Sequence, residues 1–307
     1  MFLNRRTAVI IAFFLTVFVF TGCKSKFEKL KNSNNIAMKY QEAVKLYEKG
    51  KYSKALILFD DLAQKYRGRA EAEDLYYLIA NANYKLKDYT SARYHFKNFA
   101  STYPGSQRAE ECRFMSAYCF YLESPRSNLD QENTRKAIDE LQLFVNYYPE
   151  SERAKEAGNL IQKLREKLEK KAFENAKLYY NMGMSDDYRA AVIALENVLK
   201  QYPDTKYAEE IEFLIVKSQY LYAQNSYANK QEQRFNEAID FYDAFVHAYP
   251  DSKYRSELDG MKANAEKKIV TAIRRINEIE KFRLEQEKEL GVETAKQEES
   301  KLEKDKK

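Results

Sequence analysis

One frame recurs five times along this chain: a small residue, a large apolar one four further on, another after three, then a tyrosine after four. It reads Ala55/Phe59/Leu62/Tyr66, Ala92/Phe96/Phe99/Tyr103, Ala137/Leu141/Phe144/Tyr148, Ala191/Leu195/Val198/Tyr202 and Ala238/Tyr242/Phe245/Tyr249. Offsets of 4, 3 and 4 trace one stripe of an α-helix. An alanine in that stripe lets a neighbouring helix approach closely. Four copies end in Tyr-Pro followed by Ser or Thr two residues on, at Tyr103-Pro104-Gly105-Ser106, Tyr148-Pro149-Glu150-Ser151, Tyr202-Pro203-Asp204-Thr205 and Tyr249-Pro250-Asp251-Ser252. Proline stops one helix, and the hydroxyl is placed to cap the next. The first copy, Tyr66-Arg67-Gly68, is degenerate.

A second signature precedes each frame. Two aromatics stand seven apart, at Tyr40/Tyr47, Tyr77/Tyr84, Phe114/Tyr121, Phe173/Tyr180 and Phe213/Tyr220, with Ala43, Ala80, Ala117, Ala176 and Val216 between them. This resembles the first helix of a tetratricopeptide (TPR) repeat, with Tyr or Phe in place of Trp. The chain therefore reads as all-α: an α-solenoid of five TPR helix pairs, with a long helix between repeats three and four and a C-terminal capping helix. The alignment marks Arg67, Pro104, Pro149, Pro203 and Pro250 are separated by 37, 45, 54 and 47 residues. With 37 as the unit, polar inserts fall at Glu123–Asn133 and Gln224–Arg234, both expected as loops between paired helices. The excess in repeat four includes 14 residues before Phe173. Fourteen residues make close to four turns, so they lengthen a helix from Glu152 to Asn181 to about 45 Å without turning its face.

Composition agrees. Glycine and proline total 13 residues, about 4% against a usual ~12%, too few for the turns of a sandwich or barrel. Forty-three aromatic residues (25 Tyr, 18 Phe) exclude a disordered chain. A charge of +5 with both signs interspersed along the chain, and a pI near 8.7, is weak for a nucleic-acid binder, which calls for a clustered basic face and a pI above ~9.

The amino terminus is an address. Arg5 and Arg6 precede an apolar run from Ala8 to Phe20 broken only by Thr16. Thirteen helical residues span about 20 Å, too short for a ~30 Å hydrocarbon core, so the run reads as a signal-peptide core. It closes on Phe20-Thr21-Gly22-Cys23. This resembles a bacterial lipobox, which implies cleavage before Cys23 and lipid attachment to it; Phe20 stands where leucine is usual. The other reading is an ordinary secretory signal with a chance cysteine. Lipidation leaves residues 23–307, of formal charge +3, anchored and not spanning. Lys24 in place of aspartate favours the outer membrane by the sorting rule of enteric bacteria.

After Ser252 the frame fades into Leu258, Met261, Ala265, Ile269, Ile273, Ile276 and Ile279 at helical spacing, which suggests a helix shielding the last repeat. From Phe282 charges dominate, and the expectation is fraying into disorder. The expected boundaries are a signal peptide at 1–22, a tether at 23–35, repeats one to three at 36–151, the long helix and repeats four and five at 152–253, a capping helix at 254–281 and a charged tail at 282–307.

No nucleotide loop, zincin motif or nucleophile elbow is present, so no catalytic residue, metal ligand or cofactor is expected. Cys112 and Cys119 lie seven apart on one helix, about 10 Å, beyond disulfide reach; they read as small buried hydrophobes. His95 and His247 occupy unrelated places in their repeats and read as packing or surface residues. The paired aromatics of the frame read as packing. Tyr76, Tyr118, Tyr222 and Tyr227 lie outside it and are the better candidates for recognition.

A lipobox at Cys23, five TPRs with Tyr-Pro-x-Ser/Thr ends, an insert in the third and a long helix dividing three from two resemble the BamD family of the outer-membrane β-barrel assembly (BAM) machinery. The resemblance covers most of residues 20–255. It implies a non-enzymatic, lipid-anchored scaffold at the periplasmic face of the outer membrane. Its implied partners are a BamA-type barrel insertase (through a POTRA domain), other BAM lipoproteins and unfolded outer-membrane protein precursors. The longer tail from Lys262 and the insert in repeat five depart from that family. An alternative is a TPR lipoprotein adaptor of cell division or peptidoglycan synthesis, which tends to carry a coiled coil before its repeats; here only a short tether precedes Ile36. A TPR-bearing enzyme would need a second domain that the charged stretch after Tyr254 cannot form.

Overall fold

A computed structural model describes residues 26–69 and 72–304, with side chains to 288. Cys23, and with it the expected lipid-attachment site, lies outside the described residues. Every element among them is helical: α1 Lys26–Lys31, α2 Ile36–Glu48, α3 Tyr52–Lys65, α4 Ala72–Lys85, α5 Tyr89–Thr102, α6 Ala109–Glu123, α7 Glu132–Tyr147, α8 Glu152–Met182, α9 Ser185–Gln201, α10 Ala208–Gln224, α11 Ala228–Ala248 and α12 Arg255–Lys304. The chain divides into two compact units between Arg165 and Glu166, within α8. The fold is the expected all-α series of antiparallel helix pairs.

In the first unit α2–α3, α4–α5 and α6–α7 are the pairs. The frame lies at their centre: Ala55, Ala92 and Ala137 are fully buried, as are Phe59, Leu62, Phe96, Leu141 and Phe144. Alanine at the first place brings the paired backbones together, and the large residues after it fill the space between successive pairs. Leu160 and Leu164, on the first half of α8, close the unit against Phe114, Leu141 and Phe144. The second unit repeats the scheme, with Ala191, Leu195, Ala238 and Phe245 buried around Phe173, Ile211 and Leu258.

The repeat ends follow from proline sterics. Each terminal tyrosine donates its N–H to the carbonyl four residues back, Tyr103 to Phe99, Tyr148 to Phe144, Tyr202 to Val198 and Tyr249 to Phe245. The four then leave the helix with φ between −121° and −133° and ψ of 60° to 74°, because a following proline disfavours the α region. Tyr66, followed by Arg67, keeps φ −93°, ψ −4°. There the reversal is made instead by Gly68 at φ 81°, a conformation open to glycine.

At the edges two expectations gain detail and two change. The stretch expected as a tether includes a helix: α1 lies within it, and its Phe27 and Leu30 pack on the first core cluster. The first insert is a loop between α6 and α7, but a pinned one. Gln131, 1% exposed, donates to the carbonyls of Arg126 and Leu129 at 2.7 and 2.9 Å and accepts from Thr134 at 2.7 Å. The second insert is not a loop: α10 ends at Gln224 and α11 begins at Ala228, so most of it extends α11 by two turns. Finally, α12 does not end near 281 but continues as helix to Lys304, helped by i,i+4 pairs such as Lys281–Glu285 and Arg283–Glu287.

Helix α12 is half a repeat. Six, nine and thirteen residues past the capping hydroxyl stand Leu258, Met261 and Ala265, where earlier first helices carry Cys112, Met115 and Cys119, or Ile211, Leu214 and Ser218. That face packs on the preceding helices. Eight, eleven and fifteen residues past it stand Gly260, Ala263 and Lys267, all exposed, in the places of Phe213, Val216 and Tyr220. The face that would receive a paired second helix has lost its aromatics, which is how a terminal cap shields a stack without extending it.

Candidate interaction surfaces

Successive repeats are joined by a polar stitch at one end of their first helices. The Ser106 hydroxyl accepts from the Arg108 N–H at 3.0 Å and donates to Glu73 at 2.5 Å. Ser151 does the same with Arg153 at 3.0 Å and Glu110 at 2.6 Å. Ser252 does so with Tyr254 at 3.1 Å and Glu209 at 2.7 Å. Each carboxylate is the second residue of the first helix one repeat earlier. Thr205 keeps the capping half, accepting from Tyr207 at 3.3 Å.

The residue two after each hydroxyl lies on the leading aromatic of the preceding repeat. The Arg108 guanidinium sits 4.4 Å from the Tyr77 ring centre and that of Arg153 5.3 Å from Phe114. Tyr207 stacks on Phe173 at 4.9 Å, and Tyr254 on Phe213 at 4.0 Å. Reading the sequence missed this contact. Its signal was a large planar side chain, Arg108, Arg153, Tyr207 or Tyr254, at the same offset in the four Tyr-Pro copies.

Of the four tyrosines singled out for recognition, three are engaged. Tyr76 donates to the Ala63 carbonyl at 3.2 Å. Tyr118 stacks between Phe114 and Tyr121. Tyr222 is buried under the Arg234 guanidinium, 3.9 Å from its ring centre. Tyr227 alone is open, 87% exposed. It borders a groove of about 590 Å³ between the start of α11 and the later part of α12, with Ile276, Ile279, Glu280 and Arg283 opposite. In the first unit a groove of about 550 Å³ is lined by Arg93, Tyr94, His95, Lys97 and Phe120. Arg93 lies 4.0 Å over Phe120 and binds Glu123 at 2.7 Å, and Lys97 binds Glu140 at 2.8 Å, so its cations are already compensated.

The residues with reactive side chains are packed away. Cys112 and Cys119 are fully buried, and burial pushes both thiols up to about 12, so neither offers a thiolate near neutrality. Burial also holds His95 below the ordinary histidine range, opposed by Asp60 and Asp88. Among the described residues no helix is long and apolar enough to cross a membrane.

The family model described as an outer membrane lipoprotein, YfiO, matches residues 33–233. The chain belongs to the YfiO family. Curated relatives carry the name outer membrane protein assembly factor BamD. The one from Caulobacter vibrioides is 23% identical over 87% of this chain and 89% of its own length. Those from Rickettsia prowazekii and Pasteurella multocida are 22% and 24% identical, covering 82% and 62% of this chain and 95% and 76% of their own lengths. The YfiO match takes in every frame copy but the last, and ends inside α11. Most of that helix, the whole of α12 and the Tyr227 groove's far wall lie beyond it.

Proposed function

We propose that this YfiO-family protein is a non-enzymatic scaffold of the outer-membrane β-barrel assembly machinery, lipid-anchored through Cys23 at the periplasmic face. The observation that carries the reading is family membership across residues 33–233, joined to relatives named as outer membrane protein assembly factors. The repeats supply what a scaffold needs: within each unit, stitched helix pairs whose aromatic side chains mostly serve packing, leaving exposed positions to vary with partner. Its partners on this reading are a BamA-type barrel insertase, held through a POTRA domain, other BAM lipoproteins and unfolded barrel precursors. The mechanism is recruitment. Holding precursor and insertase on one anchored chain raises the effective concentration of each for the other, with no bond made or broken.

The test is to isolate the tagged protein from gently solubilised membranes, identify what stays bound, and deplete it in cells. A co-purifying BamA-type barrel and falling outer-membrane protein levels support the reading. A preparation without such a barrel, together with normal levels after depletion, overturns it.

A further inference from the structure

The positive charge of this protein is concentrated beside its anchor. Residues 26–54 hold eight lysines against three glutamates, a formal +5, whereas the whole of 23–307 carries only +3. One of the eight, Lys39, is buried and paired with Asp61 at 2.5 Å. The other seven are exposed: Lys26, Lys29 and Lys31 on α1, and Lys45, Lys49, Lys51 and Lys54 around the α2–α3 turn. None of the seven is in an ion pair among the described residues, in contrast to Lys39.

These lysines form a held surface and not a loose tail. Phe27 and Leu30 seat α1 on the first core cluster; Lys26 and Lys29, one residue before each, fall off that seated stripe. The Lys54 ammonium lies 5.7 Å from the Phe27 ring centre, so α1 and the start of α3 share one basic surface. Cys23 precedes Lys26 by three residues, a reach of no more than about 11 Å of extended chain. That is comparable with the ~8 Å over which charge is felt at physiological ionic strength.

We propose that α1 and the α2–α3 turn bind the anionic headgroups of a phospholipid bilayer and so orient the first repeat against the membrane that holds Cys23. The orientation rests on lipid attachment at Cys23. The headgroup surface does not, because it is testable without acyl chains.

The experiment uses the chain from residue 24 onward, which retains every described residue, in sedimentation with phosphatidylcholine vesicles with and without phosphatidylglycerol. Binding is expected only with phosphatidylglycerol, and is lost near 1 M salt, where screening falls to ~3 Å. Each lysine at an anionic surface contributes about fivefold to partitioning, so Lys26→Gln/Lys29→Gln/Lys31→Gln lowers it about a hundredfold. Lys200→Gln/Lys230→Gln/Lys267→Gln, exposed lysines of the second unit, leaves it unchanged. Equal binding to both vesicle types, or equal loss from both triple variants, overturns the proposal. Failure of lipid attachment itself reads out separately, as absence of acyl label on Cys23 in the full-length protein.

Discussion

Replacing Ser151 by alanine removes two interactions with one atom. The hydroxyl accepts from the Arg153 N–H at 3.0 Å and donates to Glu110 at 2.6 Å. The first is a cap worth about 1 kcal/mol. The second is charge-assisted, a class worth about 1.5–3 kcal/mol. Both Ser151 and Glu110 are partly exposed, so solvent competes and the lower end, or somewhat below it, applies. Ser151→Ala is therefore expected to cost about 2 kcal/mol, Glu110→Ala about 1, and the double variant less than their sum by about 1. Ser151→Thr should retain at least the capping half, since Thr205 caps in the same place. Two units need not unfold as one transition, so a single midpoint is a poor measure. Native-state hydrogen exchange of α6 and α8, read residue by residue in low urea, isolates the affected step. A cost for Ser151→Ala within about 0.5 kcal/mol, the range of ordinary surface changes, would refute the stitch. So would a double-variant cycle with zero coupling.

Four further outcomes are expected. Asp61→Asn leaves the buried Lys39 ammonium unpaired, whereas Lys39→Met leaves a half-exposed carboxylate that water can solvate; urea titration should find the first more damaging, and the reverse order refutes the pairing argument. Hydrogen bonds from Lys39 and Lys65 hold the Asp61 carboxyl below its ordinary range, so its contribution is complete above about pH 3.9 and fades as pH falls further, a fade that Asp61→Asn should abolish. With both inner thiols pushed up to about 12, a chain lipidated at Cys23 as proposed should show no maleimide-reactive thiol at pH 7.5 until it is unfolded, and then two; one reactive thiol in the native state means Cys23 is free. Ending the chain at residue 288 should leave the second unit's thermal stability unchanged, whereas ending it at 257 uncovers Phe245 and the Ala238–Phe235 cluster that Leu258 and Ala265 shield and should lower it by several degrees; equal effects refute the capping role of α12.

The packing frame is readable in the sequence because burial selects on residue type and spacing together. An alanine, two large apolar residues and a tyrosine at 4, 3 and 4 leave few arrangements in which all four are covered. The two inserts show where such reading weakens. Both are polar, yet Glu123–Asn133 contains Pro125 and forms a loop, whereas Gln224–Arg234 has neither proline nor glycine and forms helix. Polarity reports exposure; it was helix propensity and the absence of breakers that reported conformation. Tyr222 and Tyr227 make the same point at single residues: five positions apart and alike in chemistry, one is buried beneath Arg234 and the other is 87% exposed.

The stitch and the basic surface were hidden for opposite reasons. Glu73, Glu110 and Glu209 look like any acidic residue in a first helical turn, where the helix dipole already favours them, so nothing local marks them as partners of a serine 33 to 43 residues away. The lysines of residues 26–54 were in plain view but averaged into a balanced whole-chain charge. Only when α1 folds back on the first repeat through Phe27 and Leu30 do lysines from three segments share a surface, next to the residue expected to carry the lipid. On the proposed lipid-anchored reading, charge distribution, and not net charge, is the quantity that bears on how the chain meets a membrane.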